Sequence, residues 1–124
     1  MFLLDTSAWI EFFTKGQEWE RIGGYLKTGN CYTSVITICE IANWAFRQNL
    51  NSQQFMQHVL EITRILNLTT KIAFFAGELN FRRKFLQRNW GMVDSIILAT
   101  AQNYDMKILT KDSHFKDLPD VEMI

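Results

Sequence analysis

Apolar residues along this chain fall into two rhythms: short unbroken runs, and longer stretches in which they return every three or four positions. The runs "FLLD" (2–5), "CYTS" (31–34), "ILNL" (65–68), "KILT" (107–110) and "VEMI" (121–124) predict short strands, the last at a sheet edge. In "FLLD" the apolar residues run on rather than alternate, as in strands covered on both faces of a parallel sheet. Helical patterns lie between them. "TSAWIEFF" predicts a helix with Thr6 or Ser7 as its N-cap, and "EWERIGGYLK" a weaker one broken by Gly23 and Gly24. Ser34 caps the next, in which Ile38, Ile41, Ala42 and Ala45 form a stripe at i, i+3, i+4, i+7. Asn51 or Ser52 opens another, turning Phe55, Val59 and Ile62 inward. "TKIAFFAGELNFRRKFLQR" predicts a long helix over 70–88 and "VDSIILATAQNY" one over 93–104. Strands alternating with helices of this length predict the α/β class: three α/β/α layers around a parallel sheet of four to five strands.

The 124 residues suit a single domain, 1–124, and one proline with six glycines leaves no linker. With 48% hydrophobic residues the core needs no disulfide or structural metal. Cys31 and Cys39, with no Cys-x-x-Cys pattern, read as small buried apolar residues kept reduced. The first aspartate arrives too early for a signal peptide, and no stretch reaches the ~20 apolar residues of a membrane span. The expectation is a cytoplasmic protein with no membrane partner. Thirteen basic and thirteen acidic residues cancel, which excludes a non-specific nucleic-acid coat. Any polyanion is held locally.

In an open parallel sheet, ligands bind beyond the carboxyl ends of the strands, where the following helices begin. Four acids fall there. Asp5 ends the first strand, and Asp112 follows "KILT". Asp94 stands with Ile97, Leu98 and Ala101 at i, i+3, i+4, i+7, at the open end of that stripe; Glu40 lies one turn after Ile36. Singly, each has an ordinary explanation as cap, turn residue or surface charge. Together, carboxylates in a partly desolvated cleft raise one another's pKa unless a cation neutralises them. Hydroxyls at Thr6, Ser7 and Thr110, without a cysteine or histidine cluster, suit Mg²⁺ or Mn²⁺ better than Zn²⁺. His58 falls in mid-helix and His114 is a lone neighbour of Asp112, so neither is expected to bind metal. The chemistry suggested is metal-assisted attack of water on a phosphodiester.

The segments "LLDTSAWIEFF", "TSVITICEIANW", "WGMVDSIILATAQNYDMKILT" and "TKDSHF", in this order across nearly the whole chain, resemble the PIN domain, in particular VapC-like toxins of toxin-antitoxin pairs. The resemblance implies an endoribonuclease in which Asp5, Glu40, Asp94 and Asp112 hold one or two Mg²⁺ or Mn²⁺ ions, leaving a 5′-phosphate and a 3′-hydroxyl. It also implies supporting hydroxyls at Ser7 and Thr110, a homodimer, and a protein antitoxin lying along the active-site groove. Two positions depart from the family pattern. His114 stands where an acid is common, and Asp105 near a usual glycine, which asks Asp105 or Asn103 for a left-handed backbone.

"FRRKFLQRNW" gathers Arg82, Arg83, Lys84 and Arg88 at the end of the long helix, either as a solvated face or as phosphate contacts for RNA. Trp90 reads as a base-stacking or a buried residue. Trp9, Phe12, Phe13, Trp44 and Phe46 could build the core, a dimer surface or an antitoxin groove, with some exposed. The rival from another class is a non-catalytic RNA- or phosphate-binding regulator of the same fold. A receiver-like domain is disfavoured by the single acid after the first strand, and a haloacid-dehalogenase-like phosphatase by Ser7 in place of the second aspartate.

Overall fold

The computed structural model describes residues 1–124. Five strands, β1 (Phe2–Leu4), β2 (Cys31–Ser34), β3 (Arg64–Leu66), β4 (Lys107–Thr110) and β5 (Val121–Met123), form one sheet in the order β3-β2-β1-β4-β5. Every neighbouring pair is parallel. Six helices connect them: α1 (Thr6–Phe13), α2 (Trp19–Lys27), α3 (Val35–Arg47), α4 (Ser52–Ile62), α5 (Thr70–Arg83) and α6 (Met92–Asn103). A single 3₁₀ turn, Ser113–Phe115, follows β4. No helix is long and apolar enough to cross a membrane.

Consecutive strand residues point to opposite faces, so each short strand feeds two cores. Leu4 and Leu109 join Ala8, Trp9, Ile22, Ile41 and Val59 on the side of α1 to α4. Leu3 and Ile108 join Trp90, Ile97, Leu98 and Phe115 beside α6, and α5 closes that side by packing Ile72 and Ala76 on Ala99 of α6. This is the predicted three-layer α/β arrangement, with apolar strands because both faces are covered.

β1 is the central strand, and the chain moves from it to β2 and β3 on one side and β4 and β5 on the other. Such a reversal opens a crevice at the carboxyl ends of the two strands that flank it, here β1 and β4. Asp5 N–H donates to Leu109 C=O at 3.0 Å, and Lys111 N–H to Ser7 Oγ at 2.9 Å. The two loops leaving the crevice are thereby tied together.

Several boundaries differ from expectation. The N-cap of α1 is Asp5 rather than Thr6 or Ser7. β3 starts at Arg64 and stops at Leu66, leaving Asn67 and Leu68 exposed. α5 ends at Arg83, not Arg88, because the next segment folds back. A continued helix would carry Trp90 about 10 Å along the axis from Arg83, whereas the Arg83 guanidinium lies 4.4 Å from the Trp90 ring. Cys39 is exposed, and only Cys31 is a buried free thiol. Asp105 adopts φ 55°, the left-handed conformation expected at Asp105 or Asn103. Of the aromatics in question, Trp9 is fully buried, Phe12 and Phe13 pack against it, Trp44 meets Phe55, and Phe46 is exposed. Phe74, Phe81 and Phe85 are also exposed, along α5 and just past its end.

Candidate metal centre

Asp5 occupies the N-cap of α1, a position where aspartate usually caps the helix, yet its carboxylate makes no capping hydrogen bond. It faces the crevice instead. Oδ2 accepts Thr110 Oγ1–H at 2.9 Å and Ser7 Oγ–H at 3.3 Å, and the two hydroxyls lie 3.0 Å apart. Both hydroxyls singled out from sequence therefore touch this acid. Burial pushes the Asp5 carboxyl up to about 6; hydrogen bonds from Thr110 and Thr6 N–H oppose this, and the charges of Glu40 and Asp112 add to it.

Glu40, in the second turn of α3, accepts Thr6 Oγ1–H at 2.5 Å, which draws its carboxylate toward the start of α1. Asp94 lies in the first turn of α6, and its Oδ2 accepts Gly91 N–H at 3.0 Å, closing the helix start. Asp112 caps the 3₁₀ turn, its Oδ1 accepting His114 N–H at 2.9 Å while its own N–H donates to Thr110 Oγ1 at 2.9 Å. Thr110 thus links Asp5 to Asp112.

His114 is not the bystander expected from sequence. Its Nδ1 lies 3.1 Å from Asp94 Oδ2 and 3.7 Å from Asp112 Oδ1. Asp94, Asp112 and His114 each offer a donor atom, all within 4.8 Å of one another. Asp5 and Glu40 stand outside that tightest group, coupled to it through the Asp5 carboxyl. None of the four acids pairs with lysine or arginine. Lys111, beside Asp112 in sequence, turns away to Glu11 at 3.1 Å. Oxygen-rich donors without a fixed counter-ion fit a hard divalent cation.

A family model, the PIN domain, matches residues 2–121. The chain belongs to the PIN domain family. Solved structures agree. A toxin-antitoxin complex from Klebsiella pneumoniae contains a chain 25% identical, with TM-score 0.80, covering 99% of this chain and 97% of that one. VapC20 of Mycobacterium tuberculosis, a sarcin-ricin loop cleaving toxin, is 17% identical with TM-score 0.80 over 99% of this PIN domain and 98% of that chain. VapBC2 from Rickettsia felis bound to a DNA fragment from their promoter gives 17%, 0.78, and coverages of 99% and 98%. At those identities the last two bear on fold alone. No curated protein matches the sequence.

The basic run of this PIN domain divides. Arg83 is only 7% exposed, unlike the rest of the run. Its guanidinium makes paired bonds of 2.8 and 2.9 Å to Asp117, stacks on Trp90, and with Gln87 Nε2 reaches the His114 carbonyl, at 3.4 and 2.9 Å. Trp90 takes the buried one of its two sequence readings, donating to Ser95 Oγ at 2.7 Å and packing edge-on against Phe115. Arg82, Lys84 and Arg88 are exposed, and Arg82 pairs with Glu78 at 2.6 Å. One sign of burial was available in the sequence: Ile72, Ala76, Leu79 and Arg83 follow helical spacing on one face. Asp117, 34 positions away, gave none.

Arg83→Met should destabilise the fold by roughly 2 kcal/mol, less than the ~3–5 kcal/mol of breaking a fully buried pair because Asp117 is half exposed. Urea unfolding at neutral pH measures this, and a change below about 0.5 kcal/mol would show the clamp to be idle.

Proposed function

We propose that this PIN domain is a Mg²⁺- or Mn²⁺-dependent endoribonuclease and the toxin of a toxin-antitoxin pair. The observation that carries it is the meeting of Asp94, Asp112 and His114 within 4.8 Å, beside Asp5 and Glu40, with no lysine or arginine to neutralise the acids. A bound divalent ion would supply Lewis-acid activation of water and charge neutralisation at the phosphate. Asp5, Glu40, Asp94 and Asp112 are the residues to hold it. Ser7 and Thr110 orient the Asp5 carboxylate by hydrogen bonding, and Thr110 also fixes the backbone of Asp112. Family membership and the toxin-antitoxin structures support the role.

The same reading includes a homodimer and a protein antitoxin. The exposed Phe74, Phe81 and Phe85 are apolar surface of the kind such association covers. The protein acts in the cytoplasm as one domain spanning 1–124.

The direct test incubates purified protein with single-stranded RNA in Mg²⁺ or Mn²⁺ and in EDTA. Cleavage confined to the metal samples, with 5′-phosphate and 3′-hydroxyl ends, is expected. Metal and RNA binding without product would favour the non-catalytic regulator. With Arg83 committed to the core, RNA contacts in the basic run fall to Arg82, Lys84 and Arg88. Changing all three to glutamine should raise KM and leave kcat within about twofold. The slope of log affinity against log salt should fall by about 0.7 per lost single-strand phosphate contact. An unchanged slope would return these side chains to a solvated surface role.

A further inference from the structure

We infer that His114 is itself a ligand of the divalent ion and that it tilts this centre toward Mn²⁺ at the expense of Mg²⁺. The inference rests on the metal-dependent reading above and names one side chain's part in it. Around an octahedral ion with bonds near 2.1 Å, neighbouring donor atoms sit about 3.0 Å apart and opposite ones about 4.2 Å. The Nδ1 separations of 3.1 Å from Asp94 Oδ2 and 3.7 Å from Asp112 Oδ1 fall in that range before any ion is added.

The placement of His114 is also over-determined. Its N–H is held by Asp112 Oδ1 at 2.9 Å, and its carbonyl by Gln87 Nε2 at 2.9 Å and Arg83 Nη2 at 3.4 Å. Phe115, next in sequence, is fully buried against Trp90 and anchors the turn. The imidazole itself is 31% exposed and faces the acids rather than the core. A ring fixed by its backbone on two sides, open on the third and directed at two carboxylates is set for coordination through Nδ1, with Nε2–H toward solvent.

Donor chemistry gives the direction of the metal preference. Mg²⁺ is bound through hard oxygen and charge, so a neutral nitrogen in place of an anionic oxygen weakens it. Mn²⁺ also favours carboxylate oxygen, but as a first-row transition ion it accepts one imidazole nitrogen at less cost than Mg²⁺ does. An all-carboxylate version of this site would lack that bias. The competing arrangement keeps His114 as a hydrogen-bond donor to Asp94 and leaves the ion with oxygen ligands only.

The chain holds two histidines, His58 and His114, and that makes a clean test possible. Tag-free full-length protein is loaded with Mn²⁺, and electron spin-echo envelope modulation is recorded for the wild type, His58→Ala, His114→Ala and His114→Asp. Calorimetry gives Mn²⁺ and Mg²⁺ affinities for each, and circular dichroism verifies folding. Modulation from a coordinated nitrogen is expected in the wild type and His58→Ala and absent from both His114 variants. His114→Asp should lower the ratio of Mn²⁺ to Mg²⁺ affinity by at least the roughly tenfold typical of altering a metal ligand's surroundings. Mn²⁺ binding and RNA cleavage without a nitrogen signal, or with an unchanged ratio in His114→Asp, would overturn the inference and leave the nuclease reading standing. Absence of Mn²⁺ binding by the folded wild type would overturn both.

Discussion

Asp94→Asn is expected to leave a folded chain whose RNA cleavage has fallen on the order of a thousandfold, the scale of losing several kcal/mol of transition-state charge stabilisation. Asparagine keeps the side-chain length and one oxygen able to accept Gly91 N–H, the 3.0 Å bond that closes the start of α6. The fold should persist. The variant lacks the negative charge that, with Asp112, makes the crevice attractive to a divalent ion. A cleavage assay on single-stranded RNA in Mg²⁺, beside circular dichroism, gives the outcome. Wild-type turnover by this variant, with contaminating nuclease excluded, would remove Asp94 from the chemistry.

The second large effect concerns stability and runs in the opposite sense. Asp5 titrates near its ordinary 3.8 when unfolded and at about 6 when folded, because burial disfavours its charged form. The folded state therefore binds its proton more tightly. Its contribution is most favourable below about pH 4, is lost as pH rises through about 6, and remains lost above. Two pKa units correspond to a cost on the order of 2–3 kcal/mol at neutral pH. Asp5→Asn, which cannot ionise, should stabilise the metal-free protein by about 2 kcal/mol at pH 7.5, with little gain at pH 4. Urea unfolding in EDTA at the two pH values measures it. An equal change at both would show that ionisation of Asp5 is not the cause. The same substitution should abolish cleavage, so one carboxylate lowers stability while serving the site.

Much of this was legible in the sequence because the information was local. The short segments "FLLD", "CYTS" and "KILT" match β1, β2 and β4 to within a residue, and the open-sheet rule puts Asp5 and Asp112 at adjacent strand ends. Helical spacing did the same for Asp94 above Ile97, Leu98 and Ala101. Long-range contacts decided what was missed. Whether Arg83 meets solvent or Asp117 depends on a partner 34 residues on, and an arginine is buried only when so paired. The early end of α5 follows from the same contact, since Trp90 must return beneath the guanidinium. The sequence shows His114 only as a neighbour of Asp112, and its approach to Asp94 across 20 positions is set by the junction of β4 with α6. Exposed Cys39 shows the limit of composition: its neighbours Thr37 and Ile41 face the core, and the helix turns the thiol outward.

The most direct measurement is an anomalous-scattering map from crystals of the full chain soaked in Mn²⁺. A peak at coordination distance from the carboxylates of Asp94 and Asp112, in the crevice that Asp5 and Glu40 border, is the predicted result. A map with no ion there, or with Mn²⁺ bound only away from these acids, would contradict the account.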